Sequence, residues 1–206
     1  MNQPPRKTLS IVCVSYQRYQ QIPILIHSFL AQTLQNFKLK IYHDAPDAKM
    51  EAILARYKAE YPSLIDYQFT GQRYNDYGHS LRDIGIAEAD GDYLLITNDD
   101  NYYVPRFLEF MFQAIEAGDV DLVLCDMIHS HNRPGGRPQG PYMLFQTAPQ
   151  RLAIDVGCMI VRTSIAKKFG WRDKGHDGDA TYLEDLIRAA PGLKYSKLSH
   201  VLFVHN

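Results

Sequence analysis

Short apolar runs alternate with segments of helical periodicity through the first 127 residues of the chain. The first run, Leu9 to Ser15, is almost continuously apolar and rich in β-branched residues, which is typical of a strand buried on both faces. Similar short runs predict strands at Leu39 to His43, Ile65 to Phe69, Tyr93 to Thr97 and Leu122 to Met127.

Between these strands, apolar residues recur every three or four positions, as they do on one face of an amphipathic helix. Helices are predicted at Ile22 to Leu34, Met50 to Tyr61 and Ser80 to Ala89, and from Pro105, which suits a first helical turn, to Gly118. This alternation predicts an α/β fold with a mostly parallel sheet, right-handed crossovers and helices on both faces.

The second half of the chain is less regular. Residues 129–150 are rich in proline and glycine, which predicts a long loop rather than core structure. The later elements are predicted as a strand pair or bent strand at Ala153 to Arg162, a short helix at Ser164 to Phe169, a helix at Asp179 to Ala189, and a strand or hairpin at Lys194 to His205.

Composition narrows the class of protein without naming a function. The 206 residues are 46% hydrophobic and 22% charged, and the net charge of −1 provides no overall field to attract nucleic acid or acidic lipid. No apolar run approaches the roughly 20 residues of a membrane span, and no signal-like apolar stretch lies near the N-terminus. We therefore expect a cytoplasmic protein. Its separated cysteines, Cys13, Cys125 and Cys158, are expected to be reduced core residues.

Two adjacent carboxylates, Asp99 and Asp100, follow the predicted strand Tyr93 to Thr97 directly. The carboxyl ends of strands in an open α/β sheet form its ligand crevice, and hard oxygen ligands suit Mg²⁺ or Mn²⁺. The alternative is that the pair forms a turn or caps the helix beginning near Pro105. The spacing alone leaves both interpretations open.

Two further polar residues are expected at the same edge of the sheet. Asp44 follows the second strand and could accept a hydrogen bond from a base or a ribose, but it could equally be a solvated loop residue. Arg82 lies near the start of a helix, where free backbone N–H groups and a guanidinium could meet a diphosphate. A solvated helix position is as compatible with the sequence.

The second half offers another carboxylate and several histidines. Asp179 could act as a general base, or it could simply occupy the N-cap or first turn of its helix. His205 follows an apolar run and could supply a metal ligand, although a lone histidine in this context usually does not. The spacing of His129, His131 and His176 does not indicate a zinc site.

The order of these segments and several motifs resemble glycosyltransferase family 2 and its GT-A fold, over a region that runs from Leu9 to between Arg188 and His205. Asn98 to Pro105 resembles the block that contains the family's DxD metal site, and it is similar to the TDDN form of a spore-coat polysaccharide glycosyltransferase. The other matching segments are Ser10 to Arg18, similar to a first-strand SIIIPTYNR motif, Leu81 to Gly85, similar to ARNxG, and Gly178 to Ala180, similar to the segment with the catalytic base.

The resemblance implies an inverting transfer of a sugar from a nucleoside diphosphate sugar, with UDP expected, to a carbohydrate or other hydroxyl acceptor. It implies a GT-A type Rossmann-like sheet in one domain of residues 1–206, with a tail (1–8), a nucleotide-binding half (9–127) and an irregular acceptor-binding half (128–206). The implied site residues are Asp179 as catalytic base, Val14, Ser15, Tyr16, Arg18, Asp44, Arg82 and Asp99 at the nucleotide, and Asp100, Asp99 and His205 at Mn²⁺ or Mg²⁺.

Three residues differ from the family's motifs, and these differences bear on which donor the protein binds. His43 stands where a first aspartate is usual, Val14 replaces a proline, and Asn98 replaces the first carboxylate of its block. Two other functions stay open: a nucleotide-sugar-binding module without turnover, and a sugar nucleotidyltransferase. The loop Tyr16 to Tyr19 lacks the glycines that the second of these normally requires.

The aromatic residues Tyr142, Phe145 and Trp171 could stack on a sugar face or belong to the core. The sequence does not indicate the oligomeric state.

Overall fold

A computed structural model describes residues 7–175 and 178–206 of the chain. Most of the predicted tail, together with His176 and Asp177, lies outside the described residues. The elements of the first half are β1 (Leu9–Ser15), α1 (Gln21–Leu30), β2 (Phe37–His43), α2 (Ala48–Glu60), β3 (Ile65–Phe69), α3 (His79–Glu88) and β4 (Tyr93–Asn98).

A short strand and a long helix connect the first half to the second. The remaining elements are β5 (Tyr102–Tyr103), α4 (Phe107–Gly118), β6 (Leu122–His129), β7 (Met143–Phe145), β8 (Met159–Arg162), α5 (Thr163–Ala166), α6 (Gly178–Ala189) and β9 (Tyr195–His205). Two 3-10 turns, Pro134–Gly136 and Val156–Cys158, lie in the connections.

The strands form one sheet in the order β3-β2-β1-β4-β8-β6-β9-β5, with β7 paired to β6. The strands β3, β2, β1 and β4 are parallel. In the second half β8 runs antiparallel to β4 and β6, whereas β9 is parallel to β6. The predicted α/β class and the parallel first half are confirmed, and the irregular second half arises because β8 enters the sheet in the opposite direction.

Alternation along β1 divides the core between the two faces of the sheet. Ile11 and Cys13 belong to a cluster with residues of α1, α2 and α4, whereas Val12 and Val14 belong to a second cluster with residues of α3 and α6. Successive side chains of a strand point to opposite faces, so this division follows directly from the apolar run. The three cysteines are free and buried, as expected.

The close approach of α3 to the sheet depends on Gly85. A Cβ at this position would lie 2.3 Å from Cγ1 of Val12 and 3.1 Å from Cε2 of Tyr42. Only glycine lets a helix backbone come this near to strand side chains. The same helix carries Arg82, so its distance from the sheet also fixes the depth of that side chain.

Several boundary predictions are wrong. Residues 153–158 are not a strand, because the Asp155 side chain accepts a hydrogen bond from the Gly157 N–H and starts a 3-10 turn. The helix expected from Pro105 begins at Phe107, and α1 ends at Leu30 rather than Leu34. Of the two alternatives predicted for Lys194 to His205, the strand is confirmed, as β9. In the described ranges, no helix combines the length and apolar character needed to cross a membrane.

Candidate functional site

A cavity of about 760 Å³ opens at the carboxyl ends of β1, β2 and β4. Every residue that the sequence analysis assigned to a site lines this one cavity, although those residues come from both halves of the chain. These residues are Val14, Ser15, Tyr16, Arg18, Asp44, Arg82, Asp99, Asp100, Asp179 and His205.

Asp99 and Asp100 form the turn that follows β4. Oδ2 of Asp99 accepts a hydrogen bond of 3.3 Å from the Tyr16 N–H, and Oδ2 of Asp100 lies 3.2 Å from Nη1 of Arg18. Burial raises the pKa of Asp99 to about 7, and the neighbouring charge of Asp100 adds to this effect. Neither residue caps α4, whose N-cap is Arg106. The pair is therefore a turn that presents carboxylates to the cavity.

Asp44 is buried at the end of β2 and is not a solvated loop residue. Its carboxylate accepts hydrogen bonds from the backbone N–H groups of Tyr74 and Asn75, at 2.7 and 3.0 Å. These bonds hold the loop between β3 and α3 against the cavity. The same loop places Arg73 over the ring of Tyr16, with 4.0 Å from the guanidinium carbon to the ring centroid.

Arg82 is buried in α3 rather than solvated, with 4% of its surface exposed. Its guanidinium donates to Oδ1 of Asn98 at 2.6 Å and to the carbonyl oxygen of Tyr77 at 2.8 Å, and it contacts Nδ1 of His79 at 3.0 Å. Its Nε has no hydrogen-bond partner in the described ranges. A buried guanidinium with unused donor capacity suits an anion in the cavity.

Asp179 lies in the first turn of α6 and also lines the cavity. Its position is therefore compatible with both interpretations drawn from the sequence, a general base and a first-turn residue of the helix. The segment before α6 is fastened to α3, since the Trp171 N–H donates to Oδ1 of Asp83 at 2.9 Å and Nζ of Lys174 donates to the carbonyl oxygen of His79 at 3.2 Å.

His205, the last residue of β9, does not stand alone. Its ring stacks on that of His129 and contacts that of His131, and its Nε2 lies 3.5 Å from Oδ2 of Asp155. Within residues 7–175 and 178–206, these three histidines are the only set of three or more ligand-type side chains whose ligand atoms lie within 4.8 Å of one another. The structure therefore brings His205 to the same cavity as Asp99 and Asp100 without gathering all three at ligating distance.

The sequence analysis treated His129 and His131 as loop residues and missed this cluster. His129 is the last residue of β6 and is paired with His205 in the parallel register of β6 and β9. That register joins residues 76 positions apart, so no local spacing could reveal it; the nearest signal was the H-x-H pattern at the end of an apolar run. Burial, and then the charges of His205 and His131, lower the pKa of His129 to about 4.

The sequence analysis also missed other residues that line the cavity. The three aromatic residues that it considered for stacking on a sugar do not line the cavity. Asn75, Tyr77, His79 and Asn206 line the cavity but have no recognisable motif. Trp171 and Phe145 are buried, and Tyr142 is exposed away from the cavity lining. The two buried rings are therefore core residues, the alternative that the sequence left open.

Comparisons with known proteins agree on a family. The sequence model of "Glycosyl transferase family 2" matches residues 10–169. An uncharacterized glycosyltransferase of Bacillus subtilis (strain 168), YwdF, is 31% identical over 112 residues, which are 54% of this chain and 39% of that protein. An uncharacterized glycosyltransferase of Haemophilus influenzae is 30% identical over 108 residues, 52% of this chain and 34% of that protein. The matched region thus spans less than half the length of these curated relatives.

Solved structures share the fold at low sequence identity. Residues 1–349 of S. aureus TarS superpose with a TM-score of 0.77 at 18% identity, covering 97% of this chain and 60% of that one. TarS has also been solved with UDP-GlcNAc, with a TM-score of 0.74 at 18% identity, covering 96% of this chain and 58% of that one. The mannosyltransferase PcManGT of Pyrobaculum calidifontis, in complex with GDP-Man and Mn²⁺, has a TM-score of 0.73 at 12% identity, covering 97% and 57%. The GT-A type α/β fold predicted from the sequence is thereby confirmed.

Proposed function

Because the chain belongs to glycosyl transferase family 2, we propose that it transfers a sugar from a nucleoside diphosphate sugar to a hydroxyl acceptor, with inversion at the anomeric carbon. One observation carries this proposal. The adjacent carboxylates of buried Asp99 and partly exposed Asp100, a buried arginine and the carboxylate of α6 all line the same cavity. This combination can hold a diphosphate leaving group and remove a proton from an acceptor in one place.

The donor is proposed to lie along the carboxyl ends of β1, β2 and β4. The end of β1 and the residues after it line this region: Val14, Ser15, Tyr16 and Arg18. The Tyr16 ring lies under the guanidinium of Arg73 and offers a flat face for a base. UDP is the proposed nucleotide, which is supported by the UDP and UDP-GlcNAc complexes of TarS.

Asp44 was expected to read the base. Both of its oxygens already accept backbone hydrogen bonds from the loop that carries Arg73. Each carboxylate oxygen has a second acceptor site, so a base contact is compatible with this arrangement. We therefore propose that Asp44 both shapes the base subsite and contacts the base.

The carboxylates of Asp99 and Asp100 fit a divalent cation. They supply hard oxygen ligands, and the desolvation that raises the pKa of Asp99 is relieved when a cation lies beside the ionised carboxylate. We propose that this pair holds Mg²⁺ or Mn²⁺, as the Mn²⁺ complex of PcManGT supports. The cation, when bound, would offset negative charge that develops on the departing nucleoside diphosphate.

The remaining steps belong to side chains of this chain. Arg82 is proposed to contact the diphosphate from the floor of the cavity, where its guanidinium is already held by Asn98 and Tyr77. Asp179 is proposed to accept the proton of the acceptor hydroxyl as its oxygen attacks the anomeric carbon. The leaving nucleoside diphosphate departs from the opposite face of that carbon, which inverts its configuration.

Release of nucleoside diphosphate tests the proposal. The purified chain is incubated with Mn²⁺ and a panel of nucleotide sugars, with and without hydroxyl acceptors, and UDP or GDP is measured. Metal-dependent release that falls at least ~100-fold in Asp179→Asn supports the mechanism, since a general base contributes about that much or more. Nucleotide binding by calorimetry without release from any donor would contradict it and favour a binding module.

A further inference from the structure

Residues 127–154, which we call the basic segment, differ in charge from the rest of the chain. The segment contains three arginines and no aspartate or glutamate, whereas the whole chain has a net charge of −1. Arg151 pairs with Glu184, but in the described part of the chain no carboxylate lies within ion-pair distance of Arg133 or Arg137. The basic segment therefore carries a local positive charge although the chain as a whole is nearly neutral.

Four large apolar side chains of the basic segment are exposed to solvent. The exposed fractions of Tyr142, Met143, Leu144 and Leu152 range from 48% to 66%, and the first three of these residues are consecutive. The strand β7, to which Met143 and Leu144 belong, pairs with β6 on one side, and among the described residues no strand pairs with its other edge. Exposed apolar side chains gathered on one surface mark a place where a protein contacts another surface.

Local contacts join the basic and the apolar residues. The Arg133 N–H donates to the carbonyl oxygen of Gln139 at 2.9 Å, and Nε2 of Gln139 donates to the carbonyl oxygen of Leu144 at 3.3 Å. The guanidinium carbon of Arg137 lies 3.8 Å from the ring centroid of Phe145, the last residue of β7. The unpaired arginines and the exposed apolar side chains are therefore neighbours.

The basic segment also borders the cavity. The Tyr142 hydroxyl donates a hydrogen bond to Oδ1 of Asn206 at 3.0 Å, and both Asn206 and His131 line the cavity. Any surface on which this segment docks therefore lies close to the opening of the cavity.

We propose that the basic segment docks on a lipid bilayer that contains anionic lipids. Lipid phosphates attract Arg133 and Arg137, and Met143 and Leu144 leave water when they enter the region below the headgroups. The ring and hydroxyl of Tyr142 suit the boundary between headgroups and acyl chains. Charge of one sign, with no carboxylate in the segment, is complementary to a uniformly anionic surface, which favours a bilayer over a protein partner.

Sedimentation of the full chain with lipid vesicles tests this surface. The vesicles consist of phosphatidylcholine alone or of an equal mixture with phosphatidylglycerol, and the partition of the protein into the pellet is measured at several salt concentrations. We expect binding to the mixed vesicles to be at least ~10-fold stronger than binding to the neutral ones, and to weaken as the salt concentration rises.

Two variants separate the apolar contribution from the charged one. The double variant Met143→Ser and Leu144→Ser should bind the mixed vesicles at least ~10-fold more weakly, because two exposed apolar side chains no longer leave water. Arg133→Gln should bind about fivefold more weakly. Ile24→Ser and Arg56→Gln are the matched controls, because they replace an exposed apolar residue of α1 and an exposed arginine of α2, and both should bind like the wild type.

Three results would overturn the proposal: no binding of the wild type to the mixed vesicles, equal binding to both kinds of vesicle, or unchanged affinity in the double variant or in Arg133→Gln. Retention on heparin, a soluble polyanion, without binding to vesicles would overturn it in favour of an anionic glycan as the partner. Melting temperatures verify that each variant is folded. None of these measurements depends on sugar transfer, so failure of the proposed transfer leaves this test intact.

Discussion

The turn after β4 concentrates negative charge in a place with little solvent. Asp99 is buried beside the more exposed Asp100, and the nearest cation to Asp100 is the side chain of Arg18. Ionised carboxylates that are poorly solvated gain most from a bound cation. The two aspartates therefore give different predictions, one about turnover and one about stability.

Asp100→Ala should lower metal-dependent transfer at least ~100-fold, because a catalytic cation contributes several kcal/mol of charge stabilisation. The measurement is nucleoside diphosphate release across a Mn²⁺ titration. Glu116→Gln, a charge removal at an exposed position of α4, is the control and should retain normal rates. Turnover of Asp100→Ala close to that of the wild type would refute the assignment.

Asp99→Asn should change how stability depends on pH in the metal-free protein. The carboxyl pKa is raised from 3.8 to about 7 on folding, so between these values the folded state holds a proton that the unfolded state lacks. The free energy of unfolding of the wild type therefore falls as pH rises through this window, by at most about 1.4 kcal/mol per pH unit.

The asparagine variant lacks this contribution, so its stability relative to the wild type should rise from pH 4 to 7 and level off above pH 7. Urea unfolding at intervals between pH 5 and pH 8 measures the difference. Stability curves that stay parallel for the two proteins would show that Asp99 is ionised throughout.

Residue by residue, the sequence analysis succeeded where a motif follows a strand. Asp44, Asp99 and Asp100 come directly after apolar runs, so the rule that strand ends meet at one edge was enough to bring them together. Arg73 and His79 lie in a loop and at a helix start without a distinguishing pattern. Their positions depend on the backbone hydrogen bonds to Asp44 and on the packing of α3, which local sequence does not encode.

Among the elements, α3 is the one whose packing is most exacting. A methyl group at Gly85 would lie 2.3 and 2.9 Å from the two Cγ atoms of Val12, a β-branched residue fixed in the middle of β1. Gly85→Ala should therefore destabilise the protein by about 1–3 kcal/mol despite the better helix propensity of alanine.

Thermal unfolding followed by circular dichroism measures this change. Gly71→Ala is the matched control, because nothing lies within 4 Å of its added methyl group. Equal stability of the two variants would contradict the tight contact between α3 and β1.

Element prediction was most accurate for β1 to β4 and least accurate after β6. The strands β1 and β4 are buried on both faces and show as apolar runs, whereas β8 is only four residues long and follows a 3-10 turn started by the Asp155 side chain. Its antiparallel direction depends on pairing with β4 and β6 rather than on any local pattern. The site residues carried by later elements were therefore placed by family resemblance rather than by periodicity.

Over the whole molecule, the two core clusters share one sheet, so the described residues should unfold together. Trp171, the single tryptophan, lies in the cluster with α3 and α6 and reports that face by fluorescence, while circular dichroism reports both faces. We expect the two signals to give coincident urea transitions. Separate midpoints would show that the face of the sheet reported by Trp171 unfolds independently of the other face.

The same experiment with ligand extends this prediction. The Mn²⁺–UDP complex, added as one ligand at about 100 times its dissociation constant, should raise the free energy of unfolding by about 2.7 kcal/mol. Both signals should shift equally, because a ligand of the folded state stabilises the entire cooperative unit. A shift in only one signal would again indicate two units.

The contacts from Trp171 and Lys174 to α3 have a consequence for the order of events. The helix α3 carries Arg82, the proposed contact of the diphosphate, and it also anchors Trp171 and Lys174 in the segment before α6. If donor binding displaces α3, we expect the start of α6, which carries the proposed base Asp179, to move with it. The proposed donor contact and the proposed base for the acceptor hydroxyl would then both depend on the position of α3.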